Sequence, residues 1–120
     1  MKSVDFSFKY KGKKFSLKVE ECKRANWGLG LMFKTRKTKP LLFNFGRQID
    51  WALTSLFVFF PFLALWLDDK NNVTEMRVVK PFIPRIISKQ PFSKLLEIPI
   101  NDKNKELIRV IVGGSKGLKT

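Results

Sequence analysis

The chain has 120 residues, 24 of them Lys or Arg against 10 Asp or Glu, for a formal net charge of +14. That length supports one hydrophobic core rather than two, and 44% hydrophobic residues with 12 Phe is too apolar a composition for a disordered basic tail. With no His and a single Cys, the sequence excludes Ser/His/Asp and Cys/His catalytic sets, imidazole metal ligands, an internal disulfide and a thiolate cage.

The opening Met1-Lys2-Ser3-Val4-Asp5 lacks the apolar stretch of about 7–15 residues that a secretory signal carries, so a cytoplasmic location is expected. Val4, Phe6, Phe8 and Tyr10 then alternate with polar residues, as do Phe15, Leu17 and Val19. Lys11-Gly12-Lys13 supplies a turn between them, which predicts a β-hairpin. Residues 21–27 could form a short helix closed by Gly28 or Gly30. Residues 34–40 place four cations in a loop ending at Pro40, and Leu41, Phe43 and Phe45 resume a period of two up to Gly46-Arg47-Gln48.

Trp51 to Leu67 is a run of seventeen residues without a charge. As a helix it would extend only about 26 Å, short of the ~30 Å hydrocarbon thickness, and it contains Pro61. Buried strands at Thr54–Phe60 and Phe62–Leu67 are therefore expected in place of a membrane span. Asp68-Asp69-Lys70-Asn71-Asn72 reads as a turn leading into an antiparallel strand at Val73–Val79. Prolines extend residues 80–84, and further strands are expected at Lys94–Ile100 and Leu107–Val112, with a helical turn at 101–106 between them. Residues 113–120 read as a loose tail on a single domain covering 1–120.

Gly30-Leu31-Met32-Phe33-Lys34 followed by Leu41-Leu42-Phe43-Asn44-Phe45 resembles the G-L-M-F-R and L-F-x-F signature of domain of unknown function 192, also called uncharacterised protein family 0127. Phe60-Pro61-Phe62 to Asp68, Val73 to Glu75, Val79-Lys80-Pro81, and Lys89 through Pro99 are similar, in order, to later motifs of that family, and the pattern is that of an archaeal-type member. The resemblance implies a mainly β fold, a compact antiparallel, barrel-like sheet with one or two short helices, and no assigned reaction. The chain departs from the family at Leu56-Phe57-Val58, where members commonly carry a polar stretch, and at Leu63, where they carry Asp.

Charge is the strongest functional signal. Residues 1–50 carry +9, residues 51–69 carry −2 and residues 70–120 carry +7, so positive charge flanks an apolar centre. Lys34, Arg36, Lys37 and Lys39 are the candidate anion contacts, reinforced if the Lys11, Lys13 and Lys14 turn and Lys23-Arg24 fold nearby. The alternative is a solvated loop that serves solubility. Glu20-Glu21 point to opposite faces of a strand, Asp68-Asp69 serve a turn, and the alternation around Glu97 predicts an outward side chain. Cys22 reads as a structural bystander, and Trp27, Trp51 and Tyr10 are the rings expected at the surface.

These features lead to a non-enzymatic binding or accessory domain without catalytic residues, cofactor or metal. Nucleic acid or another polyanion is the expected partner, ahead of a membrane. A small-ligand-binding barrel or enzyme, and membrane association through residues 51–67, are the alternatives.

Overall fold

The computed structural model describes residues 2–22, 31, 34, 35 and 37–113. Among these, β1 (Lys2–Tyr10), β2 (Lys13–Glu21), β3 (Leu41–Ile49), β4 (Phe62–Leu67), β5 (Val73–Val79) and β6 (Phe92–Pro99) precede a single helix, α1 (Lys105–Gly113). The expected helix at 21–27 and the tail after Gly113 lie outside the described residues apart from Glu21, which ends β2, and Cys22.

Strict alternation builds the β1–β2 hairpin. Lys11 and Gly12 both take positive φ (50° and 79°), the conformation of a two-residue turn whose twist matches its strands. The register then runs from Tyr10 opposite Lys13 to Lys2 opposite Glu21. Phe6, Phe8, Phe15 and Val19 are buried on one face, with Phe8 and Phe15 stacked at 5.4 Å. A different device makes the β4–β5 turn. One Asp68 carboxylate oxygen accepts from the amides of Lys70 (2.9 Å) and Asn72 (2.8 Å), and the other accepts from Asn72 Nδ2 (3.1 Å). Burial alone would raise the Asp68 carboxyl, but these donors outweigh it and hold the group below its ordinary value.

The six strands form one curled sheet in the order β1-β2-β3-β6-β4-β5. All neighbours are antiparallel except β2 and β3, which run parallel and pair, among the described residues, at Glu20–Leu41 and Glu21–Leu42. The curl brings the two outer strands together where the Lys9 amide donates to the Asn71 carbonyl at 2.8 Å. The fold is therefore the expected barrel-like β structure, with one parallel joint and one helix.

Two cores lie on opposite faces of this sheet. Inside the curl, Phe6, Phe8, Phe15 and Val19 meet Leu63, Leu65, Leu67, Leu96, Ile98 and Ile111 of α1. On the other face Phe43, Phe62, Ala64, Trp66 and Leu95 are covered by Leu31, Val58, Phe60 and Ile86 from connecting segments.

Two expected strands are absent. Residues 54–60 form no strand: the Val58 amide returns to the Ser55 carbonyl (3.0 Å), and Thr54 Oγ1 accepts from the Leu56 amide (3.2 Å). Hydroxyl side chains here compete with a ladder for the backbone. Residues 107–112 belong to α1, because Leu107, Ile108, Ile111 and Val112 share a helical face packed on the inner core. Asn101 Oδ1 accepts from the Asn104 amide at 2.8 Å, and Glu106 pairs with Arg109 one turn on at 3.3 Å. Among the described residues no helix is long and apolar enough to cross a membrane, and the charge-free run is divided between β4 and a segment crossing the outer face.

That segment is tied down by Ser55, a fully buried residue whose hydroxyl donates to the Lys80 carbonyl (2.7 Å) and accepts from the Ile83 amide (2.9 Å). Replacing Ser55→Ala removes both partners at once. The expected loss is about 1–3 kcal/mol of unfolding free energy, read by urea denaturation.

Candidate anion-binding groove

The basic segment 34–40 is anchored at both ends. Leu31 is buried in the outer core and its carbonyl accepts from the Lys34 amide (3.2 Å), while the carbonyl of buried Pro40 accepts from the Glu20 amide of β2 (2.8 Å). Between them the Thr38 amide closes a turn on the Thr35 carbonyl at 3.1 Å. These constraints hold Lys37 and Lys39 exposed and Lys34 half-buried; Arg36 lies outside the described residues.

Lys37 lines a groove of about 710 Å³ with Ile100, Asn101, Asp102, Lys103, Lys105 and Ile108, the segment that opens α1. Lys34 instead has its charge near Cys22, whose thiol it acts to lower. The Lys11–Lys14 turn, which follows the Lys9 contact with Asn71 and Asn72, contributes no residue to the groove, and Lys23-Arg24 lie outside the described residues. Lys103 and Lys105 were not foreseen as partners of Lys37; their only sequence signal is two cations beside a helix start.

Among the described residues, three ammonium groups and one carboxylate, Asp102, thus line this groove together with Ile100 and Ile108. The start of α1 adds the partial positive charge of its free amides. A second, more polar cavity of about 420 Å³ sets Arg47 and Lys94 against Asp69, which leaves less excess positive charge for an anion. Among the described residues no three His, Cys, Asp or Glu side chains gather to hold a metal.

Glu97 corrects the expectation of an outward side chain. It lies in one cross-strand row with Leu41 on β3 and Ala64 on β4, on the face covered by connecting segments, and is 2% exposed. Alternation assigns it the face opposite Leu96 and Ile98, but both faces of β6 are buried. Its Oε1 has no hydrogen-bond partner. Arg77, in the same row beyond Ala64, is engaged by Glu75 and by the Ile87 carbonyl. Burial pushes the Glu97 carboxyl up to about 8. Burial first, and then the neighbouring Glu97, push the Cys22 thiol up to about 12, so little nucleophilic thiolate forms near neutral pH.

Folded protein consequently holds a proton on Glu97 across a range in which the unfolded chain has released it. Native stability falls as pH rises from about 4.5 to about 8, since the unfolded state binds fewer protons there. The E97Q variant removes that ionisation. Denaturant titrations of the two proteins should diverge steadily over this range, E97Q becoming the more stable relative to wild type as pH increases.

No family model matches the chain, and no curated protein matches it. Solved structures do share its fold. A candidate transcription regulator from Sinorhizobium meliloti is 20% identical, the match covering 84% of this chain and 81% of that one at a TM-score of 0.68. A protein of unknown function from Novosphingobium aromaticivorans is 15% identical over 88% of this chain and 78% of that one, with a TM-score of 0.70. At these identities the likeness extends to the fold alone.

Proposed function

We propose that the chain is a non-enzymatic accessory domain that binds a phosphate-rich polyanion, nucleic acid in the first instance, through the groove between segment 34–40 and the start of α1. The observation that carries this reading is the meeting of Lys37 with Lys103 and Lys105 around one groove, where among the described residues only Asp102 opposes them. Each ammonium contacts phosphate as a point charge, and the overall +14 raises the rate of encounter with any polyanion. Ile100 and Ile108 give a sugar or base an apolar surface to lie on. Binding of this kind follows the backbone with little readout of sequence.

A further feature supports a polyanion partner. Lys9 and Lys14 stand directly opposite one another in the β1–β2 register, an arrangement whose mutual repulsion a phosphate chain would relieve. We also propose membership of domain of unknown function 192: the motifs that resemble it fall in order on β3, β4, β5 and β6.

Titration with labelled single-stranded RNA across a salt series tests the assignment. Replacing Lys37, Lys103 and Lys105 by Ala should weaken binding and make the log–log salt slope shallower by about 2, the share of three phosphate contacts. A triple variant with wild-type affinity and slope would overturn the groove as the site.

A further inference from the structure

Two segments crossing the outer face of the sheet, 51–61 and 80–91, bury part of their apolar content and present the rest to solvent. Leu56, Phe57 and Ile83 are exposed, and Phe59 and Phe82 are 55% and 56% exposed. Two bonds to Ser55 join the segments: the Phe82 amide donates to the Ser55 carbonyl at 2.7 Å, and the Ile83 amide donates to Ser55 Oγ at 2.9 Å. The Phe59 and Phe82 rings meet edge to face with centroids 5.7 Å apart. Phe82 is held at φ 66°, a left-handed conformation that a bulky side chain adopts only under constraint, and one that accompanies binding sites more often than bare scaffold. A cluster of three Phe with Leu and Ile at the tips of paired segments marks an interaction surface.

Its charge surroundings select the partner. Neither segment contains an acidic residue, while 80–91 contributes Lys80, Arg85 and Lys89, with Lys80 and Arg85 exposed on either side of Phe82 and Ile83. Aromatic tips rimmed by cations match an anionic bilayer surface, where rings settle at the headgroup level and each cation gains from the surface potential. A two-fold contact with a second copy would bring Lys80 and Arg85 against themselves with no acid in either segment to pair them. We infer that Leu56, Phe57, Phe59, Phe82 and Ile83, rimmed by Lys80 and Arg85, form a docking surface for an anionic lipid headgroup layer. This surface is separate from the Lys37 groove and does not rest on it.

Co-sedimentation of the full chain with vesicles tests it, comparing equimolar phosphatidylcholine and phosphatidylserine with phosphatidylcholine alone. Wild type should sediment with the anionic vesicles and much less with the neutral ones. The Phe59→Ser, Phe82→Gly double variant should lose on the order of tenfold in binding, whereas the triple Ala variant of Lys37, Lys103 and Lys105 should stay within about twofold of wild type. Phe82→Gly alone suits the left-handed backbone, so its thermal melt should show an intact fold while vesicle binding drops. With Phe82→Trp, emission should move to shorter wavelength on adding anionic vesicles. The inference is overturned if wild type stays in the supernatant, if the double variant sediments as wild type does, if the Trp emission does not move, or if sedimentation velocity shows a dimer that the double variant abolishes.

Discussion

The structure depends on one constraint: β4 and β6 have no face that tolerates water. Every residue of β4 is buried, with Phe62, Ala64 and Trp66 on one side and Leu63, Leu65 and Leu67 on the other, and β6 beside it is buried over most of its length. A half-barrel alone covers one side of such a pair. The other side must be covered by whatever else the chain has, which here is the long connections. This requirement places Leu31, Val58, Phe60 and Ile86 on the sheet and, with them, the cationic and aromatic residues that those connections carry.

The same constraint accounts for Glu97. Cross-strand geometry assigns it a row, and closure of both faces takes away the solvent that a carboxylate in that row would need. Arg77 lies two strands away but is committed to Glu75 and to a backbone carbonyl, and its guanidinium stands 5.4 Å from the Trp66 ring. Glu97 is therefore kept neutral by its surroundings rather than by a partner.

Local rules were legible where they act alone. The β1–β2 hairpin follows from alternation and a turn glycine, and the β4–β5 turn from an Asp with amides within its reach. Residues 107–112 were not legible, because five apolar residues interrupted by Arg109 are too short a stretch for their period to separate strand from helix; packing on the inner core decides for the helix. Residues 54–60 carry strand-like composition, yet Thr54 and Ser55 give their backbone other bonds. Glu97 was misplaced because alternation specifies a face but not whether that face is covered. The groove joins Lys37 to Lys103 and Lys105 through folding alone, and nothing near Lys37 in sequence announces that meeting. Exposure of Phe57, Phe59 and Phe82 was likewise hidden, since the same composition would serve a buried strand.

The parallel joint between β2 and β3 has a mechanical meaning. Nine residue pairs hold β1 to β2, whereas among the described residues two pairs join β2 to β3, flanked by backbone bonds from Glu20 to Pro40 and from Cys22 to Leu42. The hairpin's far edge meets the turn before β5, where Lys9 bridges to Asn72, the Lys9 amide donates to the Asn71 carbonyl and Asn71 Nδ2 donates to the Ser7 carbonyl. The molecule is thus a four-stranded antiparallel slab with a two-stranded hairpin joined through a parallel seam, and Phe6, Phe8 and Phe15 pack their rings into the core between them. Two kinds of contact therefore fasten the hairpin, backbone bonds at Glu20–Pro40, Cys22–Leu42 and Lys9–Asn71 and the rings of Phe6, Phe8 and Phe15, so mutations that shrink those rings weaken one kind while leaving the ladders of the slab in place.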